Sequence, residues 1–143
     1  MGQQRRAGRR GQALVEFSLV LIIFMVLIMG VFDLGRGIYM YNGVSEAARE
    51  IARVTIVHVG TPMGTSAQTT SVVNTQKGLV PSLGNPTFAC VDIDDTAAPV
   101  PAGTCIGPYR VKVTITAPYR PVTPLLSLSG TWTMSSTSSI QVP

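Results

Sequence analysis

Between Phe17 and Phe32 the chain reads FSLVLIIFMVLIMGVF, sixteen residues without a charge, and no other feature limits its fold as strongly. Extended back to Ala13 the stretch has about 20 residues, enough for a helix to cross roughly 30 Å of hydrocarbon. Its Leu, Ile, Val and Phe contribute roughly −5 kcal/mol to insertion, against about +3 kcal/mol for a charged group at the centre. Glu16 is the one charge in the extended stretch and stands near its end, where the cost is smaller, so the segment inserts. Arg5, Arg6, Arg9 and Arg10 precede it and no acidic residue does. The excess of basic residues predicts a cytoplasmic N-terminus, with residues 33 onward outside a cell membrane crossed once.

A cleavable secretory signal shares this plan but fails at its end. Val31-Phe32-Asp33 follows where signal peptidase needs small side chains, and the run is long for a signal core. A twin-arginine signal at Arg9-Arg10 fails because Gly11-Gln12 stands where a bulky apolar pair belongs. The formal charge of +4 also misleads if read as a total, since those four arginines account for all of it. The remaining seven basic residues balance seven acidic ones, which leaves no basic face for a phosphate backbone and excludes nucleic acid as a partner.

The most informative motif joins the leader to the apolar run: Arg9-Arg10-Gly11-Gln12-Ala13-Leu14-Val15-Glu16-Phe17. A basic leader ends in Gly, and a carboxylate stands five residues further on. This resembles the prepilin peptidase site of type IV pilins, most closely that of tight-adherence (Tad, Flp) pilus proteins. The resemblance implies a cut between Gly11 and Gln12. Gly11 to Arg53, with its Glu16-Phe17, its Asp33-Leu34-Gly35-Arg36 and its Ala47-Ala48-Arg49-Glu50-Ile51-Ala52-Arg53, is similar to the TadE-like family. Tyr119 to Leu126 is similar to that family as well. Gln12 departs from the aromatic residue many type IV pilins carry there, and Phe17 from the Tyr usual in Flp major pilins. The second departure, with the chain length, favours a minor subunit.

The physics of the motif stands apart from the resemblance. Removing residues 1–11 creates an ammonium at Gln12, and Glu16 lies one helical turn away, placed to pair with it or with a neighbouring chain's. Cleavage also removes the arginines that hold the terminus at the cytoplasmic face. The plainer alternative is that Glu16 reaches to the membrane interface and does nothing more.

Past Phe32 the helical period continues and turns amphipathic, with Ile38, Tyr41, Val44, Ala48, Ile51, Thr55 and Val59 on one side and Glu46, Arg49, Glu50 and Arg53 on the other. Unbroken from Gln12 to Val59 this helix is about 72 Å long. Gly35, Gly37 and Gly43 weaken its middle and leave room for a kink. Gly60-Thr61-Pro62 signals its end. A short helix over 71–80 and strands over 87–93, 110–117 and 131–142 follow, the middle one alternating Val111, Val113, Ile115 and Ala117 with polar residues. Cys90 and Cys105 are the only cysteines. Outside the cytoplasm a disulfide is expected, worth about 3 kcal/mol for a loop this size; free thiols are the alternative where no oxidising folding system exists.

Catalytic and ligand-binding patterns are missing. Asp92-Ile93-Asp94-Asp95 begins like a calcium loop, but Ala97 and Gly103 stand where glycine and glutamate should, so a hydrated acidic turn is expected. His58 is the only histidine and has no second ligand or base in register. No G-x-S-x-G and no phosphate-cradling loop occurs. The expectation is therefore an α+β, pilin-like chain without metal, cofactor or enzymatic activity. Residues 1–11 form the cleaved leader, 12–32 the transmembrane helix, 33–59 its extracytoplasmic continuation, and 60–143 a small domain with an antiparallel sheet. By resemblance it is a TadE-like minor pilin or pseudopilin, with prepilin peptidase, other pilins and the pilus assembly machinery as partners. A permanently anchored surface-binding protein is the rival, and it requires an uncut N-terminus and a dispensable Glu16.

Overall fold

The computed structural model describes residues 4–58, 61–96, 103–123 and 130–143, with side chains described from Gly11 onward. The leader arginines' side chains, Val59, Gly60, Ala97 and the Pro124-Leu125-Leu126 end of the family-like stretch lie outside that set. The elements run α1 (Gln4–Val57), α2 (Ala67–Leu79), β1 (Thr87–Val91), β2 (Arg110–Tyr119) and β3 (Trp132–Gln141). They fall into two compact units: Met1–Arg36 with Pro121–Gly130, and Gly37–Arg120 with Thr131–Pro143.

The first unit is dominated by the apolar part of α1. From Leu14 to Leu34 its large apolar side chains are exposed apart from the half-buried Val26 and Ile28, with Val31 and Phe32 each at 71%. The helix is long and apolar enough to cross a membrane, and none of its most apolar window is covered by protein. A helix suits that setting because all its backbone groups bond within the segment. α1 begins at Gln4, eight residues before the expected Gln12. The leader's Arg, Gln and Ala are good helix formers, and its glycines carry only a modest penalty.

In the second unit the amphipathic part of α1 packs with the sheet. Val44, Ala47, Ala48, Ile51 and Ala52 of the helix and Val111, Val113, Ile115 and Ala117 of β2 are all fully buried. The inward stripe is Met40, Val44, Ala47, Ala48, Ile51, Ala52 and Thr55, which corrects the expected set. Ile38 and Tyr41 are each 54% exposed. At 3.6 residues per turn Ile38 lies about 120° around the helix from Val44, and Tyr41 about 60° from it in the same direction. Gly35, Gly37 and Gly43 do not end α1, which continues as helix through all three. Gly43 is needed for close approach: a Cβ there would meet Val80 Cγ2 at 2.9 Å.

The α2 helix starts four residues before the expected Ser71. Ser66 caps it from an extended conformation, its side chain accepting a hydrogen bond from the Thr69 amide at 3.1 Å. The sheet is antiparallel in the order β1-β2-β3, as the alternation of β2 predicts. β1 covers only Arg110–Thr114 of β2, whereas β3 pairs along the whole strand from Arg110↔Gln141 to Tyr119↔Trp132. Pro118 therefore sits where β2 has a neighbour on one side only, a position that tolerates its missing N–H. Cys90 and Cys105 are bonded to each other, with Cα atoms 5.5 Å apart and both residues in the core. The acidic turn is closed by its own backbone, Asp92 N–H to Thr96 O and Asp95 N–H to Asp92 O. Lys112 pairs with Asp95 at 2.8 Å. His58 bonds through Nδ1 to the Val54 carbonyl at 3.0 Å.

Candidate functional site: two carboxylates on one helix

At the N-terminal end of the apolar run Gly11 is exposed, and a Cβ added there would meet nothing within 4 Å. Gly11 lies within α1, so its backbone is helical. One residue on, Gln12 Nε2 donates to Glu16 Oε1 at 3.0 Å, an i to i+4 contact on the helix surface. The carboxylate is thus within reach of residue 12 through that residue's side chain. Phe17 follows, 63% exposed. Cys90 and Cys105 belong to the other unit and take no part in this group.

The second carboxylate, Asp33, was noted in the sequence only as part of a motif. It is 4% exposed. Its Oδ1 accepts the Val122 amide at 2.9 Å, and its Oδ2 accepts the Thr123 amide at 2.6 Å and the Thr123 hydroxyl. These partners are 89 and 90 positions away in sequence, so no local pattern could have paired them. The one available signal was an acidic residue directly after the apolar run. The Thr123 hydroxyl, followed by the Val122 amide, holds the Asp33 carboxyl below its ordinary value of 3.8; burial opposes the shift, and the Thr123 amide and the Arg36 charge add to it.

On the polar side of α1 in the second unit, Arg53 donates from two nitrogens to both oxygens of Glu50, at 2.9 and 2.7 Å. The pair keeps the Glu50 carboxyl low through that hydrogen bond, with the charge of Arg53 adding to it against burial. It borders an open hollow of about 620 Å³ between the end of α1 and α2. Among the described residues no group of three His, Cys, Asp or Glu is placed to hold a metal ion.

A long apolar N-terminal helix that continues into an amphipathic one, followed by a small three-stranded antiparallel sheet, is an α+β pilin-like fold. Residues 11–53 match the family model for TadE-like protein, so this part of the chain is similar to that family. No curated protein and no solved structure matches the chain. The matched segment contains Gly11, Gln12, Glu16, Phe17 and Asp33, and covers under a third of the chain. It supports a minor-pilin-like protein associated with a tight-adherence pilus and anchored in a membrane by one helix, in a family that is structural in kind.

Proposed function

We propose that this chain is a minor pilin or pseudopilin of a tight-adherence pilus. Prepilin peptidase cuts it between Gly11 and Gln12, after which it acts in pilus biogenesis beside a major pilin and the assembly machinery. The observation that carries the reading is where the TadE-like match begins: at Gly11, the last residue of the basic leader. The chemistry is coherent with it. The cut removes four arginines, frees an ammonium at Gln12, and leaves Glu16 one turn away to neutralise that ammonium or a neighbour's. Phe17 and the exposed apolar side chains after it, in lipid before assembly, pass to neighbouring helices in a filament. On this reading the N-terminus starts in the cytoplasm and the sheet outside, and no residue is assigned a catalytic role.

The test is the N-terminal residue of the protein from native membranes and from sheared surface material, by intact mass and terminal sequencing. Gln12 at the terminus, lost in Gly11→Val, is the expected result. A leader intact in every fraction would refute processing and leave the permanently anchored binding protein as the better account.

A further inference from the structure

Asp33 does more than hold a turn, because of what the turn carries and what its backbone lacks. Pro121 has no N–H, and the next two backbone donors, Val122 and Thr123, both go to the Asp33 carboxylate, as does the Thr123 hydroxyl. From residue 121 to 123 every backbone donor is thus absent by chemistry or satisfied. Pro121 and Thr123 are buried and only Val122 is exposed, so the clamp leaves no open backbone donor beside the one side chain that the turn presents outward, as hydrocarbon contact requires.

The side chain so presented is apolar. Val122 is 68% exposed and, with Met29, Phe32, Asp33 and Arg36, lines an open depression of about 300 Å³. Met29 and Phe32 lie in the last turns of the apolar run, so this patch is continuous with the exposed face of the membrane helix.

We propose that Pro121–Thr123 is a lipid-contact turn: clamped by Asp33, it sets Val122 beside Met29 and Phe32 in the hydrocarbon boundary of the extracytoplasmic leaflet, where the depression receives lipid acyl chain. Asp33 is a positioning residue in this account. Its carboxylate supplies the acceptors that the turn would otherwise lose with water, and Arg36, one turn further along α1, stands toward the headgroups. The proposal rests on the apolar run spanning a membrane and is independent of entry into a filament.

The test places a nitroxide label on the full-length chain in phosphatidylethanolamine and phosphatidylglycerol vesicles, at Val122→Cys, with Ile22→Cys and Leu79→Cys as references, and compares collision with oxygen and with a water-soluble nickel chelate. The native cysteines are bonded to each other and stay unlabelled without reductant. Position 122 is expected to favour oxygen as position 22 does, unlike position 79, and to shift toward nickel when Asp33→Ala is added. Nickel access at 122 with oxygen preference at 22 overturns the lipid contact alone, whereas nickel access at both 22 and 122 overturns the membrane span beneath it. Shielding of 122 from both reagents means a neighbouring protein covers the patch and also overturns the proposal. An unchanged oxygen preference in the Asp33→Ala background removes Asp33 from its positioning role.

Discussion

Two stretches of α1, one almost wholly apolar and one about half apolar, meet opposite fates. From Leu14 to Phe32 nearly all the large side chains are exposed, while Met40, Val44 and Ile51 are buried. The difference lies in arrangement as well as amount. Around Phe17–Phe32 apolar residues occupy every side of the helix, which no small domain can cover and a bilayer can. Between Met40 and Thr55 they recur at three- and four-residue steps, with Glu46, Arg49, Glu50 and Arg53 between them, and one sheet face suffices. One helix therefore uses two solvents, lipid for the first stretch and its own sheet for the second.

Core truncation should break that symmetry most sharply. Ile51→Ala removes a fully buried side chain and is expected to destabilise the sheet domain by about 2–5 kcal/mol. Ile22→Ala, in the exposed stretch, should leave the domain's unfolding unchanged. Denaturant unfolding in detergent, followed by Trp132 fluorescence, reads both, and equal effects would mean that the two stretches share one core. Next in size is the disulfide. Cys90→Ser with Cys105→Ser should cost about 3 kcal/mol, and reductant should reproduce the loss in the unaltered chain. A domain indifferent to both changes would show that helix packing alone secures the sheet.

Acid should then separate the clamp from the core. Because Asp33 is held below 3.8 in the folded chain, its contribution is fully present above that ordinary carboxylate value and is lost as pH falls through the lower folded value. Amide exchange at Val122 and Thr123 is expected to stay slow down to about pH 4 and to quicken below it. Exchange at Val113, in the core of the second unit, should not follow. Thr123→Val removes the hydroxyl that contributes most to the shift and should move the transition upward in pH. Protection that is indifferent to acid, or a transition unmoved by that substitution, would mean that Asp33 does not hold the turn.

Much of this architecture could be read from local patterns, and the parts that could not share one cause. The membrane run, the amphipathic continuation, the strand at Arg110 and the antiparallel sheet follow from periodicity within ten or twenty residues. The α2 start at Ser66 was missed because its cap lacks the Glu or Gln that marks a full capping box. Ile38 and Tyr41 were placed inward because a three-four spacing fixes a stripe only to within a residue or so on a helix surface, and the sheet that selects among the options is coded 70 to 100 residues later. Asp33 is the extreme case, since its partners lie at Val122 and Thr123. Glu16 looked the more interesting carboxylate because its neighbour Gln12 is local and its place after a basic leader resembles a known processing site.

The two carboxylates thus give the last test, with the smallest effect on folding. Glu16 is exposed and its bond from Gln12 is a surface contact within one turn, worth a few tenths of a kcal/mol at most on an isolated helix. Glu16→Gln keeps the shape and a hydrogen-bonding side chain but removes the charge that the new N-terminus at Gln12 would meet. Domain unfolding and membrane insertion are expected to be unchanged, and processing after Gly11 should continue, while the amount of the chain in sheared surface material should fall. A variant that is cut, inserted and assembled like the unaltered protein would confine Glu16 to the membrane interface and remove it from assembly. A variant that is no longer cut would make Glu16 part of the peptidase's recognition instead. Only the intermediate result, cut but not assembled, makes the negative charge itself the group that a filament needs at this position.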